Sequence, residues 1–446
     1  MAAPGRTTTG PVSGHPATAR VLVGYSARPN RVDTAADEVD RPLNGVDLEV
    51  SVVMPCLNEV DSVATCIRKA MTGLSVAGLA GEVVVVDNGS TDGSPAAAAA
   101  AGARVVHESR RGYGRAYRSG FDAAQGRIIV MGDADDTYDF SELGALVTPL
   151  RTGLADYVLG SRFAGQILPG AMPWSHRYIG NPALTGLLNL LFKLDSTDAH
   201  SGMRAFTRDS CRAMRLTSDG MELASELVLS AAQARLRVLE VPITYHPRAG
   251  SSKLHGLRDG WRHLLYLLLR APRYLFVAPG ALAWAAGMLG LLAVPLASRL
   301  AGVGWFGWLG FRTAVCCALL TVLGFQTVCL GIGAAAVNTR AGWHRQLGRL
   351  PMRWRRFFTL ERGIAVGAVT TAMGLITDVV TLVTGPSGRL DHVSGLYPLM
   401  VGTTVVVLGV QTILASFFLR LILDLAPART PAANRPGRPA DGEVAA

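Results

Sequence analysis

RIIVMGDADDTYD, residues 127–139, runs from a short apolar strand straight into acid. Ile128, Ile129, Val130 and Met131 are followed at once by Asp133, Asp135 and Asp136. A short apolar run bounded by a turn reads as a buried strand. Three carboxylates so close repel one another unless something positive neutralises them. A divalent cation shared with a diphosphate is the natural partner, because Mg2+ takes one or two carboxylates and fills its shell with phosphate and water. A solvated acidic turn is the plainer alternative.

Working outward, the same pattern recurs. LEVSVVMP (48–55) is an apolar strand ended by Pro55, and EVVVVDNGSTDGS (82–94) is another that runs into a polar turn. ARVVHES (103–109) reads as a third strand. Between them, NEVDSVATCIRKAM (58–71) has helical spacing, with Val60, Val63, Ile67 and Met71 on one face, and GYGRAYRSGFDAAQG (112–126) is a helix between glycines. Strands alternating with helices predict an α/β domain with a mostly parallel sheet, whose ligands bind beyond the carboxyl ends of the strands. The polar residues Asn58, Glu59, Asp87, Asn88 and Asp92 fall at such ends, where a carboxylate can accept from a base N–H or bind ribose hydroxyls.

Composition divides the chain into unlike halves. Of its 446 residues, those up to about Arg273 carry charges throughout, and long apolar stretches follow. The net charge of +10 is nearly all arginine, since Lys69, Lys193 and Lys253 are the only lysines. Such a surplus fits nucleic acid, anionic lipid or phosphate ligands, or merely an arginine-rich codon bias. The positions favour membrane. The six cysteines form no CxxC pair, so neither a zinc site nor a disulfide framework is expected.

Residues 1–47 have no apolar period and read as a disordered leader without a signal-peptide core. Four candidate membrane spans lie at roughly 274–298, 313–337, 363–384 and 396–423, each near the 20 residues that cross about 30 Å of hydrocarbon. The linker before the third span holds Arg340, Arg345, Arg349, Arg353, Arg355, Arg356 and Arg362 against Glu361 alone. By the positive-inside rule that linker, and with four spans both termini, face the cytoplasm. The segment before the first span is amphipathic: Trp261, Leu264, Leu265, Leu268 and Leu269 are interspersed with Arg258, Arg262, His263 and Arg270. Such a helix can lie in the headgroup layer. The expected division is a leader (1–47), an α/β domain (48–250), interfacial helices (251–273), a four-helix transmembrane domain (274–424) and a disordered tail (425–446).

Six blocks together resemble the family 2 glycosyltransferases of GT-A fold over about residues 50–275. The likeness is to the dolichol-phosphate mannose and glucose synthases, including bacterial members with membrane tails. MPCLNE is similar to their P-x-x-N-E opening, DNGSTDGS to a D-D-x-S-x-D-G turn with Asn88 in place of the second acid, and DADD to a metal-binding D-x-D. GSRF, HSGMRAF and RAGSSKL match later blocks in order. The resemblance implies that Pro55, Asn58, Glu59, Asp87, Asn88, Asp133 and Ala134 form the nucleotide pocket, and that Asp135, with Asp133 assisting, binds Mg2+ or Mn2+. Thr137 stands where some relatives carry a Gln ligand. Arg162, Arg177, Arg248 and Lys253 match cationic positions around two phosphates, while Arg204 holds its motif in shape.

The implied reaction moves a hexose from a nucleotide sugar to polyprenyl phosphate at the membrane, with inversion. Nucleic acid is not an expected partner, and a homo-oligomer is left open. A processive polysaccharide synthase shares the fold, but its usual Q-x-x-R-W block is missing from the sequence and all spans follow the α/β domain. A lipid-sugar flippase or a scaffold with an inactive transferase domain is the rival from another class. The intact DADD and RAGSSK blocks speak against it, as do spans whose charges are few, Asp378 excepted.

Overall fold

The computed structural model describes residues 20–21, 48–248, 256–300, 307–340, 359–384 and 393–425. Two compact units divide the chain, one ending at Ala271 and the other beginning at Pro272.

Alternating apolar segments build an eight-stranded sheet in the first unit. Its strands are β1 (Arg20–Val21), β2 (Val50–Cys56), β3 (Gly81–Asp87), β4 (Arg104–His107), β5 (Ile128–Met131), β6 (Tyr157–Ile167), β7 (Arg204–Thr207) and β8 (Val238–Tyr245). The order across the sheet is β1-β8-β6-β7-β5-β2-β3-β4. β2 pairs in parallel with both β3 and β5, and β3 with β4. β7 runs antiparallel between β5 and β6. This is the mostly parallel α/β domain the alternation predicts. One difference lies in the expected leader: Arg20 and Val21 pair antiparallel with Glu240 and Leu239.

Among the described residues, the α-helices of this unit are α1 (Val63–Val76), α2 (Ser94–Ala100), α3 (Tyr113–Ala123), α4 (Leu143–Arg151), α5 (Asn181–Phe192), α6 (Arg208–Met214), α7 (Leu223–Gln233) and α8 (Gly256–Arg270). Because side chains alternate along a strand, Val52 and Met54 of β2 join Cys66, Ile67, Ala70 and Leu74 of α1 and Leu143, Leu146 and Val147 of α4 in one core. Val53 points to the other face, where α3 lies on β2 and β3. The inward face of α1 differs from the expected one. Val60 precedes the helix, and Val60 and Met71 are both exposed, so the phase is set by Val63, Cys66, Ile67, Ala70 and Leu74.

The described residues of the second unit build the helices α9 (Ala278–Leu300), α10 (Gly307–Arg340), α11 (Leu360–Thr384) and α12 (Val393–Leu425). Among the described residues four stretches are long and apolar enough to cross a membrane: Arg273–Val294, Gly310–Asn338, Leu360–Thr384 and Leu396–Ile422. They agree closely with the four expected spans. Glycines let these helices approach. A Cβ on Gly280 would meet the Gly324 backbone, one on Gly367 that of Gly409, and one on Gly374 that of Gly402. Between apolar helices such small-residue seams supply van der Waals contact that the hydrophobic effect does not. Asp378 is the polar exception, its Oδ2 accepting from the Thr403 hydroxyl at 3.2 Å. Residues 341–358, which hold most of the basic linker, lie outside the described residues.

Gly120 is the tightest point between α3 and the sheet, since a Cβ there would press on Val53 Cγ1 and Val86 Cγ2. Overpacking of this kind typically costs about 1–3 kcal/mol. Gly120→Val should therefore lower the unfolding free energy of the α/β domain by about that amount, seen as a lower denaturation midpoint. An unchanged midpoint would show that α3 does not pack on the sheet this closely.

Candidate functional site

Pairing of β2 with both β3 and β5 brings three polar strand ends side by side: Asn58 and Glu59 after β2, Asp87 and Asn88 at the end of β3, and Asp133 to Asp136 after β5. Each group is held by its own partners. Asn58 has a left-handed backbone (φ 53°), and its Oδ1 accepts from the Thr91 N–H at 2.7 Å. Its own N–H donates to Ser90 Oγ at 3.0 Å. Asp87 accepts from the Ser90 N–H at 2.9 Å and lies 3.2 Å from His107 Nδ1. Its partial burial raises the carboxyl, but the Ser90 and His107 hydrogen bonds outweigh that and hold it below the ordinary range.

Asn88 ties down a loop. Its amide donates to the carbonyls of Glu108 (3.0 Å) and Arg110 (2.8 Å), and its Oδ1 accepts from the Gly112 N–H at 2.8 Å. A carboxylate could accept but could not donate, which accounts for an amide where the family pattern has an acid. That loop delivers the start of α3, and with it Tyr113 and Tyr117. Both hydroxyls donate to Asp133 Oδ1, at 2.9 and 3.0 Å. The sequence reading missed these tyrosines, although their i, i+4 spacing just after Gly112 was a usable signal. Burial, together with the neighbouring Asp135 charge, pushes the Asp133 carboxyl up to about 6 despite the two hydroxyls.

The three acids after β5 do not converge. Asp135 Oδ1 accepts from the Thr137 hydroxyl at 2.6 Å, and its Oδ2 lies 3.1 Å from Arg248 Nη1. Asp136 turns toward α1, where its Oδ1 meets Lys69 Nζ at 2.7 Å. Ala134 is buried, and its carbonyl accepts from Ser62 Oγ at 2.7 Å. Pro55 sits in β2 beside Val86. Among the described residues no group of three His, Cys, Asp or Glu could hold a metal ion. Asp133 and Asp135 offer a pair of hard oxygen donors, which suits Mg2+ or Mn2+ if the remaining positions come from phosphate oxygens. Thr137 is occupied by Asp135.

Four of the expected cations separate into different situations. Arg248 follows β8, and the Tyr138–Tyr245 bridge and the His246 N–H bond to Thr137 O (2.9 Å) lay this stretch over the acidic turn. Its Nη2 donates to Glu59 Oε1 at 2.6 Å, so one guanidinium links the β2 and β5 ends. Its Nε is buried without a hydrogen-bond partner among the described residues, a donor suited to an anionic ligand. Arg162 is held by Asp198, 36 residues on, which takes its Nε and Nη2 at 2.7 Å each, and Tyr245 covers it at 5.2 Å, so its guanidinium is engaged by an acid and a ring. Arg177 lies over Tyr178 at 5.5 Å and has no ion pair among the described residues. Lys253 lies outside the described residues.

Arg204 is buried and donates only to neutral oxygens: the carbonyls of Ser201 (2.8 Å), Ala199 (3.0 Å) and Ala224 (3.0 Å), and Tyr157 Oη (2.9 Å). It joins the turn before β7 to α7 and β6. Gly202 in that turn backs the site: its N–H donates to Tyr138 Oη at 2.7 Å, and a Cβ on it would stand 2.9 Å from Asp133 Oδ2.

Known proteins resemble both parts of the chain. Residues 51–215 match the family described as glycosyl transferase family 2, and residues 332–423 match the family 2 C-terminal transmembrane region. A low-salt glycan biosynthesis hexosyltransferase of Haloferax volcanii is 40% identical over 379 residues, covering 83% of this chain and 88% of that protein. A dolichyl-phosphate hexose transferase of the same organism is 34% identical over 217 residues, 48% of this chain and 89% of that protein. Among solved structures, the glucosyl-3-phosphoglycerate synthase of Mycobacterium tuberculosis in complex with Mn2+ and UDP-glucose aligns with TM-score 0.41 and 24% identity, covering 50% of this chain and 79% of that chain. The sheet with its acidic strand ends and the four membrane-length helices define a membrane-bound sugar-transferring enzyme. The chain belongs to glycosyltransferase family 2.

Arg204 yields a test of how the site is held. Each buried carbonyl left without a donor costs about 1–3 kcal/mol, so Arg204→Ala should destabilise the domain by about 3 kcal/mol or more. Arg204→Lys should rescue little, because an ammonium cannot reproduce the planar fork. Thermal melts of the two variants decide it, and full stability of either would remove Arg204 from this role.

Proposed function

We propose that the enzyme transfers a hexose, glucose or mannose, from a UDP- or GDP-linked donor to polyprenyl phosphate at the cytoplasmic face, by a single inverting displacement. The observation that carries this reading is Arg248, whose guanidinium lies between Glu59 and Asp135 with one buried N–H still available. Two anions must meet in this reaction, and a cation poised between carboxylates can turn to meet them. Glu59, Asp87 and Asp133 are suited to the nucleoside, with Asn58, Asn88 and Ala134 shaping the pocket. Asp133 and Asp135 would hold the divalent ion, which when bound neutralises charge growing on the leaving diphosphate.

A phosphate acceptor is ionised near neutral pH and needs no strong base. The chain's own contribution is therefore positioning and fixed charge. Arg248, Lys253 and Arg177 are the cations proposed for the phosphates. Arg162 acts through Tyr245 and β6. The chain leaves Arg248 toward α8, whose exposed Trp261, Leu265 and Leu269 alternate with Arg258 and Arg262. Trp174, Tyr178, Ile179 and Leu190 are exposed as well. Such surfaces suit a headgroup layer in which a lipid phosphate must stay.

Asp135→Ala should abolish turnover while leaving the melting temperature within a few degrees of wild type, and excess chelator should silence the wild-type enzyme. Full activity of purified protein in chelator would rule out the metal role. The orientation is tested separately. Cysteines introduced at 386–395 should react with an impermeant reagent from outside the cell, and those near Arg349 should not. The reverse pattern would move the donor site to the wrong side of the membrane.

A further inference from the structure

α8 is amphipathic, yet one residue of its buried face is polar. Leu267 and His263 point inward, while Trp261, Leu265 and Leu269 point out. The arrangement follows from 100° per residue, which sets 263 opposite 261 and 265. His263 thus differs from its expected place among the interspersed polar residues. Burying an imidazole is costly unless it is hydrogen-bonded, and this one is. Its Nδ1 lies 3.0 Å from Ser225 Oγ, on α7. The same hydroxyl lies 3.1 Å from His200 Nε2, in the turn before β7. The two rings meet edge to face at 4.8 Å. Ser225 is fully buried.

A serine hydroxyl carries one proton. Between two ring nitrogens it can donate to one at most, so at least one ring must present an N–H, and the chain of bonds depends on the tautomers. This makes the contact directional. Apolar packing alone would let α8 roll about its axis, whereas a bond at Nδ1 fixes its rotation. The other end of the relay touches the site. His200 leads directly into Ser201 and Gly202, whose backbone holds Arg204 and Tyr138 and stands against Asp133.

We propose that His263, Ser225 and His200 are positioning residues that transmit the seating of α8 on a lipid surface to the 199–202 turn beside Asp133, tying turnover to membrane engagement. The inference rests on the proposed function in one respect, that the acceptor is held in the bilayer.

The full chain in lipid nanodiscs provides the test. His263→Ala should lower kcat with polyprenyl phosphate in the bilayer about tenfold, leave the donor KM within twofold, and leave kcat on a short-chain lipid phosphate in detergent within twofold. His263→Asn, which puts an amide where Nδ1 stood, should recover bilayer kcat to within about threefold. Equal losses on both acceptors, no loss on either, or no recovery by Asn would each overturn the coupling. A second measurement needs no acceptor. Amides of residues 199–203 should exchange more slowly in nanodiscs than in detergent for wild type, and Ser225→Ala should erase that difference. No difference in wild type would also overturn the relay. A wild-type enzyme that transferred nothing to lipid phosphate would refute the proposed acceptor instead, leaving exchange to decide the coupling.

Discussion

The crowding of like charge at one edge of the sheet is the constraint on which the rest depends. Parallel pairing of β2 with β3 and β5 forces Glu59, Asp87, Asp133, Asp135 and Asp136 toward the same end. Carboxylates that close are unstable together, and the fold answers with a partner for each, Arg248 serving both Glu59 and Asp135. Two tyrosines hold Asp133, Thr137 and Arg248 hold Asp135, Lys69 draws Asp136 away, and Ser90 with His107 hold Asp87. What remains facing the cleft is a pair of acids and one bridging guanidinium. The partners come from α1, α3, β4 and the end of β8, so the acidic edge dictates much of the surrounding packing.

A second layer of polar groups supports that edge without touching it. Arg162 with Asp198, Arg204 with its carbonyls, and Glu240 with Ser196 and Thr197 are all buried. Buried ionic groups are weak evidence for stability, but they discriminate among arrangements when every donor and acceptor is matched. Here they join β6, the turn before β7 and β8 on one side of the site. Arginine serves in both layers, so a conspicuous arginine motif says little about whether its side chain meets ligand.

The legible parts of the structure were those with a local period. Apolar runs ending in acid gave away the strands and the site edge, and uninterrupted apolar length gave away the four membrane helices. The phase of α1 was misread because Val60 looks periodic with Val63 and Ile67 but lies in the turn ahead of the helix. The Arg162–Asp198 pair was not legible, because its members are 36 residues apart and no local pattern encodes such a pair. His263 looked like one more polar residue on a mixed helix. Its burial depends on Ser225 and His200, which reach it only through the tertiary fold.

The glycine seam between α11 and α12 has a mechanical consequence. Gly367 faces Gly409 and Gly374 faces Gly402, and the glycines stand seven positions apart on each helix. Two turns of helix therefore separate one close crossing from the next. Any smaller slip parts the facing glycines and drives a side chain against opposing backbone. The hairpin behaves as a ratchet with widely spaced teeth: it can hold its register or come apart, but it cannot creep.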